Sequence, residues 1–183
     1  MAEENTNKNK YDVALATRNF EIELFWKRSL FFWGFIASAI VGYATLIKDN
    51  ESLAVVVACF GFVCSVAWSL ANRGSKYWQE NWESIVAQLE DDVTGKLFKS
   101  RAVQQKKGVW LTSRKFSVSK VTIALSDFTV LMWLSLIMYH LVKEIVIAEY
   151  PISNCLVVLV VVLSILFAII MAIAGRSSEP ENS

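Results

Sequence analysis

Four long apolar runs constrain this sequence more than any other feature. The first two, residues 29–47 and 53–71, contain no charged residue, and neither does the fourth, 152–174. The third, 121–142, contains one acid, Asp127. A helix of roughly 20 residues crosses the apolar core of a bilayer. The sequence therefore predicts an all-α integral membrane protein with four transmembrane helices and a cytoplasmic helical extension.

The lysine and arginine residues lie mainly on one side of these predicted spans. Of the 18, only Lys48 and Lys143 fall in the connections between runs one and two and between runs three and four. Because cytoplasmic loops are enriched in Lys and Arg, both termini and the central segment are predicted to be cytoplasmic. An Ala-Ser-Ala triplet at 37–39 resembles a signal cleavage site, but the long polar segment before it disfavours cleavage.

This pattern divides the chain into five predicted segments. They are a cytoplasmic N-terminal segment (1–28), a transmembrane hairpin (29–71), a cytoplasmic helical region (72–120), a second transmembrane hairpin (121–174) and a cytoplasmic tail (175–183). Residues 1–10 are polar and are expected to be loose. Ala16, Phe20 and Leu24 recur at a spacing of four, which predicts an amphipathic helix before the first span.

The stretch "NRGSKYWQENWE" (72–83) is rich in aromatic and charged residues. Such a cluster could stack nucleic-acid bases, but its tryptophans continue a helical apolar stripe, which favours packing and no nucleic-acid partner. The stripe comprises Trp78, Trp82, Ile85, Val86, Leu89 and Val93. Gly74 is tolerated in a helix, so helix two is predicted to continue beyond the membrane, with breaks at Gly95 and Gly108. Ser117 or Ser119 is the predicted N-cap of helix three.

Two basic residues lie where helix two leaves the predicted membrane. Arg73 and Lys76 are placed to contact anionic lipid headgroups, the ordinary role of cations at this depth. Lys76 also stands four residues before Glu80, the spacing of a helical ion pair.

Rows of small residues predict the faces on which the membrane helices pack. Small residues every fourth position let helix backbones approach closely inside lipid. The rows predicted as packing or oligomer interfaces are Gly34, Ser38 and Gly42 in helix one, Gly61, Ser65 and Ser69 in helix two, and Ser164, Ala168 and Ala172 in helix four. The sequence leaves open whether each row packs within one chain or against a second copy.

Asp127 is the candidate polar site within the membrane. If helix three enters the bilayer at residue 121, Asp127 lies inside the membrane. An acid there costs free energy and is expected to face a cavity or a partner. If the span begins near 128, Asp127 is an interfacial residue instead. His140 is the one histidine and is too isolated to form a metal site.

Several classes of function find no support in the sequence. Basic and acidic residues nearly balance, at 18 and 17, so no global charge points to nucleic acid. No catalytic motif, phosphate-binding loop or Cys/His metal pattern is found, so no catalytic residue, cofactor or metal is expected. The three cysteines lie in apolar runs and are expected to be packing residues: Cys59, Cys64 and Cys155.

Two longer stretches carry a family resemblance. Residues 72–83, followed by "ESIVAQLEDDVTGKLFK" and "FSVSKV", resemble the RipA family of small octameric bacterial membrane proteins, and so does "ATRNFEIELFWKRSLFFWGFIA". The resemblance covers most of residues 11–142 and extends to helix four only in hydrophobicity. It implies a homo-octamer in the bacterial cytoplasmic membrane and carries no catalytic residue.

The resulting hypothesis is a homo-oligomeric structural or scaffold protein of the bacterial inner membrane. The runner-up is an oligomeric pore or ion channel, for which polar residues should line one face of a span. Ser126, Asp127 and Thr129 begin such a line, but the rest of helix three is apolar. A further alternative is a membrane-acting effector in phage defence.

Overall fold

The computed structural model describes residues 2–97, 99–100, 116–147 and 155–176. These residues form four α-helices and one 3₁₀ turn, and no strand occurs among them. The helices are α1 (Ala2–Leu46), α2 (Glu51–Leu89), α3 (Val118–Ile147) and α4 (Cys155–Ala174), and the 3₁₀ turn is Glu90–Asp92. The predicted break at Gly108, the end of the connection before α4 and the tail from 177 lie outside the described residues.

All four helices are long and apolar enough to cross a membrane. The predicted all-α membrane architecture is thereby confirmed. Helices α1 and α2 contain 45 and 39 residues, about twice the length that a bilayer core requires. Each therefore consists of an apolar part and a polar continuation.

The N-terminal residues are helical, so the expectation of a loose segment at 1–10 was wrong. Helix α1 begins at Ala2 and continues without interruption into the first apolar run. No proline occurs before Pro151, and the first glycine is Gly34, so nothing in the early sequence stops a helix once it has formed.

The buried face of early α1 also differs from the predicted one. Phe20 is 55% exposed, whereas Tyr11, Ala14 and Phe25 are buried. The buried face includes the position of Arg18, whose guanidinium Nη2 lies 3.4 Å from Glu83 Oε1 of α2. The helix is as predicted, but the face that packs within the chain was not identified, because a charged residue interrupts its apolar pattern.

Short polar side chains mark the starts of two helices. The Leu53 amide donates to Asn50 Oδ1 at 3.0 Å, which caps α2 after a tight connection from α1. The Lys120 amide donates to Ser117 Oγ at 3.4 Å, which selects Ser117 from the two predicted caps of α3. Helix α2 continues through Gly74, as predicted, and the chain turns at Gly95, whose φ is +74°.

The chain forms two compact units. The first, here called the extension unit, comprises Met1–Lys27 and Arg73–Val121. Its core contains Tyr11, Ala14 and Val86, with Trp82 and Leu89 packed against them. The stripe predicted on helix two thus packs, in part, against the N-terminal helix of the same chain.

The second unit, here called the membrane unit, comprises Arg28–Asn72 and Thr122–Ser183. Helix α2 is central in the packing, because 50% of its most apolar window is buried, against 17–22% in the other three helices. Trp133 and Ile137 of α3 join its core with α2 and α4. The remaining buried members are Ala39, Val55, Ala58, Cys59, Phe62, Val157, Val161 and Ala168.

A buried glutamate forms hydrogen bonds at the C-terminal end of α2 in the extension unit. Glu90 is fully buried, and its Oε1 accepts a hydrogen bond from the Lys99 amide at 2.9 Å. Its backbone carbonyl accepts bonds from the amides of residues 93, 94 and 95. Glu90 therefore anchors the segment that reverses the chain after α2.

We expect Glu90→Ala to release this segment. The Lys99 amide would lose its acceptor, and a buried hydrogen bond that is lost costs about 1–3 kcal/mol. Hydrogen exchange should become roughly tenfold or more faster at the Lys99 amide. Asp91→Asn is the control, because Asp91 is exposed and contacts Lys99 only through the side chain. Equal exchange in the two variants would show that Glu90 does not hold the segment.

Candidate functional site

Asp127 is a half-buried acid on α3 and has a partner on α2. The Ser69 hydroxyl donates to Asp127 Oδ1 at 2.6 Å. Both side chains border a surface groove of about 300 Å³, whose other walls are apolar: Val66, Leu70, Val130 and Leu131. An acid in a membrane helix is stabilised by a donor of this kind. The predicted polar site at Asp127 is therefore hydrogen-bonded to Ser69, a member of the small-residue row predicted on helix two.

Asn72 is the centre of a buried polar network beside Asp127. Its side-chain Nδ2 donates to Ser126 Oγ at 3.4 Å, and its Oδ1 accepts from Ser29 Oγ at 3.4 Å. The indole of Trp68 donates to Ser29 Oγ at 3.4 Å. All four side chains are at most 4% exposed. This network joins α1, α2 and α3, and sequence reasoning missed it because Ser29 and Asn72 stand at the ends of apolar runs.

A second polar cluster lies near the other end of α3. His140, 2% exposed, places Nδ1 2.9 Å from Glu51 Oε1 and Nε2 2.8 Å from the Tyr43 hydroxyl. A carboxylate only accepts, so Nδ1–H donates to Glu51, and in the neutral ring Nε2 accepts from Tyr43. Lys143 Nζ lies 2.6 and 2.7 Å from the two Glu51 oxygens. These four residues, here called the His140 cluster, join α1, α2 and α3.

Two features of the sequence point to the His140 cluster, although the cluster was not predicted. His140 and Lys143 are three residues apart on a helix, so they share a face. Glu51 is the first residue of α2, directly after the tight connection from α1, and the topology places it at the same end of the bundle. Lys143 was expected to be an ordinary loop charge, and this was wrong because α3 continues to Ile147.

An apolar core separates the two polar ends of the membrane unit. Asp127 and His140 are 13 residues apart, about 20 Å along α3. The side chains of Trp133 and Ile137 lie between them and are at most 1% exposed. These two side chains belong to the buried hydrophobic cluster of the membrane unit.

The small-residue row of α2 packs inside the chain. A Cβ on Gly61 would lie 2.4 Å from Trp133 Cε2, so α3 approaches this glycine too closely for any side chain. Ser65 is fully buried and returns its hydroxyl to the Gly61 carbonyl at 2.8 Å. Ser69 binds Asp127. The row Gly61, Ser65 and Ser69 is thus the contact surface for α3.

The rows of α4 and α1 have different surroundings. Ala168 of α4 belongs to the buried core, while Ser164 and Ala172 are half-buried. In α1, a Cβ on Gly42 would lie 3.5 Å from Val57 Cγ1. A Cβ on Gly34 would meet no described atom within 4 Å, and Ser38 is exposed. The predicted row of α1 is therefore split, with its first half on the surface of the chain.

The predicted residues of the extension unit are also split between core and surface. Trp82 and Leu89 pack against the core of this unit, whereas Trp78 is 47% exposed. Lys76 forms the predicted ion pair with Glu80 and holds the pKa of that carboxyl below its ordinary value, by a hydrogen bond first and by its charge second. The prediction that Arg73 and Lys76 contact lipid headgroups stays a prediction.

Candidate metal ligands are sparse in the described part of the chain. No group of three or more His, Cys, Asp or Glu side chains is arranged to hold a metal ion there. The three cysteines carry no disulfide and range from buried Cys59 to exposed Cys155. The chemistry present consists of hydrogen bonds and ion pairs between helices.

Residues 8–142 match the model of a protein family described as the octameric membrane protein family. The chain belongs to this family. The match includes α1, α2 and most of α3, and it ends before α4. No curated protein and no solved structure matched the chain.

Family membership confirms the predicted resemblance at the level of the family and supports an oligomeric membrane protein. The family model ends near the point where the resemblance was expected to fade, since α4 was predicted to be similar only in hydrophobicity. The shared part contains the Asn72 network, the α2 row and three of the four members of the His140 cluster. The fourth member, Lys143, lies just beyond residue 142.

Proposed function

We propose that this protein is a homo-octameric structural protein of the bacterial inner membrane, which serves as a scaffold rather than a conduit. The observation that carries the proposal is the apolar core between the two polar ends of the membrane unit. Water or an ion moving through one subunit would have to pass Trp133 and Ile137, which are at most 1% exposed. Polar contacts at both ends hold three helices together instead.

The proposed orientation places both termini and the extension unit in the cytoplasm. It rests on the distribution of Lys and Arg, of which only two occur in the opposite connections. In this orientation the extension unit offers its exposed apolar side chains to the cytoplasm or to a neighbouring copy. Phe20, Tyr77 and Trp78 are 47–61% exposed.

An oligomeric pore is the second candidate, and one feature favours it. Asp127 borders an open groove on the surface of the membrane unit. Eight copies arranged around an axis could bring eight such carboxylates together, and rings of acids select cations. In that arrangement the conduit would lie between subunits rather than within one.

Reconstitution in liposomes distinguishes the two candidates. We expect the purified protein to have the mass of eight chains in mild detergent and to raise cation flux no more than protein-free liposomes do. Asp127→Ala should then leave the flux unchanged, and Ser135→Ala, at an exposed position of α3, serves as the matched control. A flux that the wild type supports and Asp127→Ala abolishes would favour the pore and contradict the scaffold.

A further inference from the structure

One face of α1 carries small, exposed residues. A membrane helix that contacts only lipid has no need of small residues at such positions. Gly34, Ala37 and Ser38 are exposed and share one helical face by their spacing of three and four, and they are called here the α1 small face. No described atom lies within 4 Å of a Cβ built on Gly34. The other two glycines that α1 and α2 contribute to the membrane unit do have neighbours within the chain, since a Cβ on Gly42 would meet Val57 and a Cβ on Gly61 would meet Trp133.

Large apolar side chains surround this small face. Leu30 and Phe31 are each 70% exposed, and Val41 is 63% exposed. A depression rimmed by bulky side chains is the shape that receives the side chains of another helix. Close approach of backbones at small residues is a main source of association energy in lipid.

A groove of about 230 Å³ continues this surface towards α3. Ala37 belongs to both the small face and the groove, and the buried Trp68 forms part of the groove floor. Almost all of the groove surface is apolar. Its other walls are Trp33, Ile36, Ile40, Leu125 and Thr129.

The family match indicates which molecule covers this surface. The family is octameric, and the matched residues 8–142 include α1 and most of α3 but exclude α4. A surface that members of the family share for assembly must therefore lie on the first three helices. The α2 row is already occupied by α3, which leaves the α1 small face as the open small-residue row among the described residues of the membrane unit that the match includes.

We propose that the α1 small face and its groove receive a second copy of this chain. The inference rests on the proposed octamer and adds the surface through which the copies meet. Closed rings of identical subunits join two different surfaces, so a helix of the next copy fills this depression. In the same assembly the exposed apolar face of α4, which includes Leu163, faces lipid.

The test compares oligomer mass in variants of the full chain. Gly34→Leu fills the depression, its Cβ would meet no described atom of its own chain within 4 Å, and leucine is a better helix former than glycine. We expect native mass spectrometry in mild detergent to show the eight-chain species reduced at least about fivefold at equal concentration. Leu163→Trp adds comparable bulk to α4, where Leu163 is 53% exposed, and should leave the octamer intact.

Each other result contradicts a specific part of the inference. An octamer that survives Gly34→Leu would overturn the interface. A Gly34→Leu octamer that keeps its eight chains and loses only a bound lipid would also overturn it. Dissociation by Leu163→Trp would move the interface to α4. A wild type that is monomeric would overturn the proposed octamer itself. If Gly34→Leu does not accumulate, Gly34→Ala is tested instead. The Gly34→Ala octamer should dissociate at a lower detergent concentration than the wild-type octamer, and an unchanged dissociation curve would overturn the interface.

Discussion

Gly61→Ala should destabilise the membrane unit more than any other single-methyl change in α2. The new Cβ would lie 2.4–2.8 Å from three ring carbons of Trp133, distances that real Cβ contacts do not reach. Trp133 is fully buried and packs edge-on against Tyr43, so its ring cannot move aside without disturbing α1. Overpacking of this kind costs about 1–3 kcal/mol, which lowers the thermal midpoint by roughly 2–10 °C in a chain of this size.

Two further variants isolate the cause. Gly74→Ala, in the same helix, introduces a methyl that meets no described atom and should raise the midpoint slightly, because alanine is the better helix former. Trp133→Phe shortens the ring that faces Gly61, so the double variant should lose less than the sum of the two single losses. Thermal unfolding followed by circular dichroism in detergent measures all four proteins. Additive losses would mean that Gly61 and Trp133 do not meet.

The overall architecture could be predicted because lipid imposes a simple length rule. Four uncharged or nearly uncharged runs gave four helices, and only the ends were displaced: α1 begins at Ala2 and α3 continues to Ile147. Hydropathy locates the part of a helix that crosses the membrane, but it does not say where the helix ends. Polar residues without glycine or proline can extend a helix beyond the membrane, as residues 2–28 do.

The packing faces were harder to predict, because a pattern of residue types does not identify the partner. The row Gly61, Ser65 and Ser69 was predicted as an interface and contacts α3 of the same chain. The row from Gly34 has the same spacing and contacts no described atom at Gly34. Only the three-dimensional arrangement separates a row that is occupied from one that is open.

The polar contacts between helices were missed for a related reason. Ser29 and Asn72 are 43 positions apart in the sequence, and Glu51 and His140 are 89 apart. Each residue alone has an ordinary explanation as a helix-end polar group. Their significance comes from burial and mutual distance, which periodicity does not contain. Asp127 was identified because a lone acid in an apolar run is unusual, but its Ser69 partner was not.

The polar contacts at both ends of the membrane unit would suit the proposed assembly. Hydrogen bonds join α1, α2 and α3 at both ends, and hydrogen bonds in low-dielectric surroundings are stronger than in water, so they favour one relative position of these helices. A fixed arrangement presents the α1 small face in one defined orientation. A surface that is ordered before binding loses less conformational entropy when a second copy docks.

His140→Ala should be the most damaging change at the Glu51 end of the membrane unit. It removes a buried ring, so Tyr43 and Glu51 lose a partner and a cavity remains. A cavity and unsatisfied buried groups together cost roughly 2–4 kcal/mol, which lowers the thermal midpoint by about 5–15 °C. His140→Asn can still donate towards Glu51, and His140→Gln can still reach Tyr43, so each should recover part of the loss.

Lys143→Met is the matched comparison for the His140 series. It removes the other partner of Glu51, but Lys143 and Glu51 are each more than a third exposed, so the ion pair contributes at most about 1 kcal/mol. The thermal midpoint should therefore be lowered least by Lys143→Met, more by His140→Asn and His140→Gln, and most by His140→Ala. If Lys143→Met and His140→Ala were equally harmful, charge pairing rather than the buried imidazole would hold these helices together.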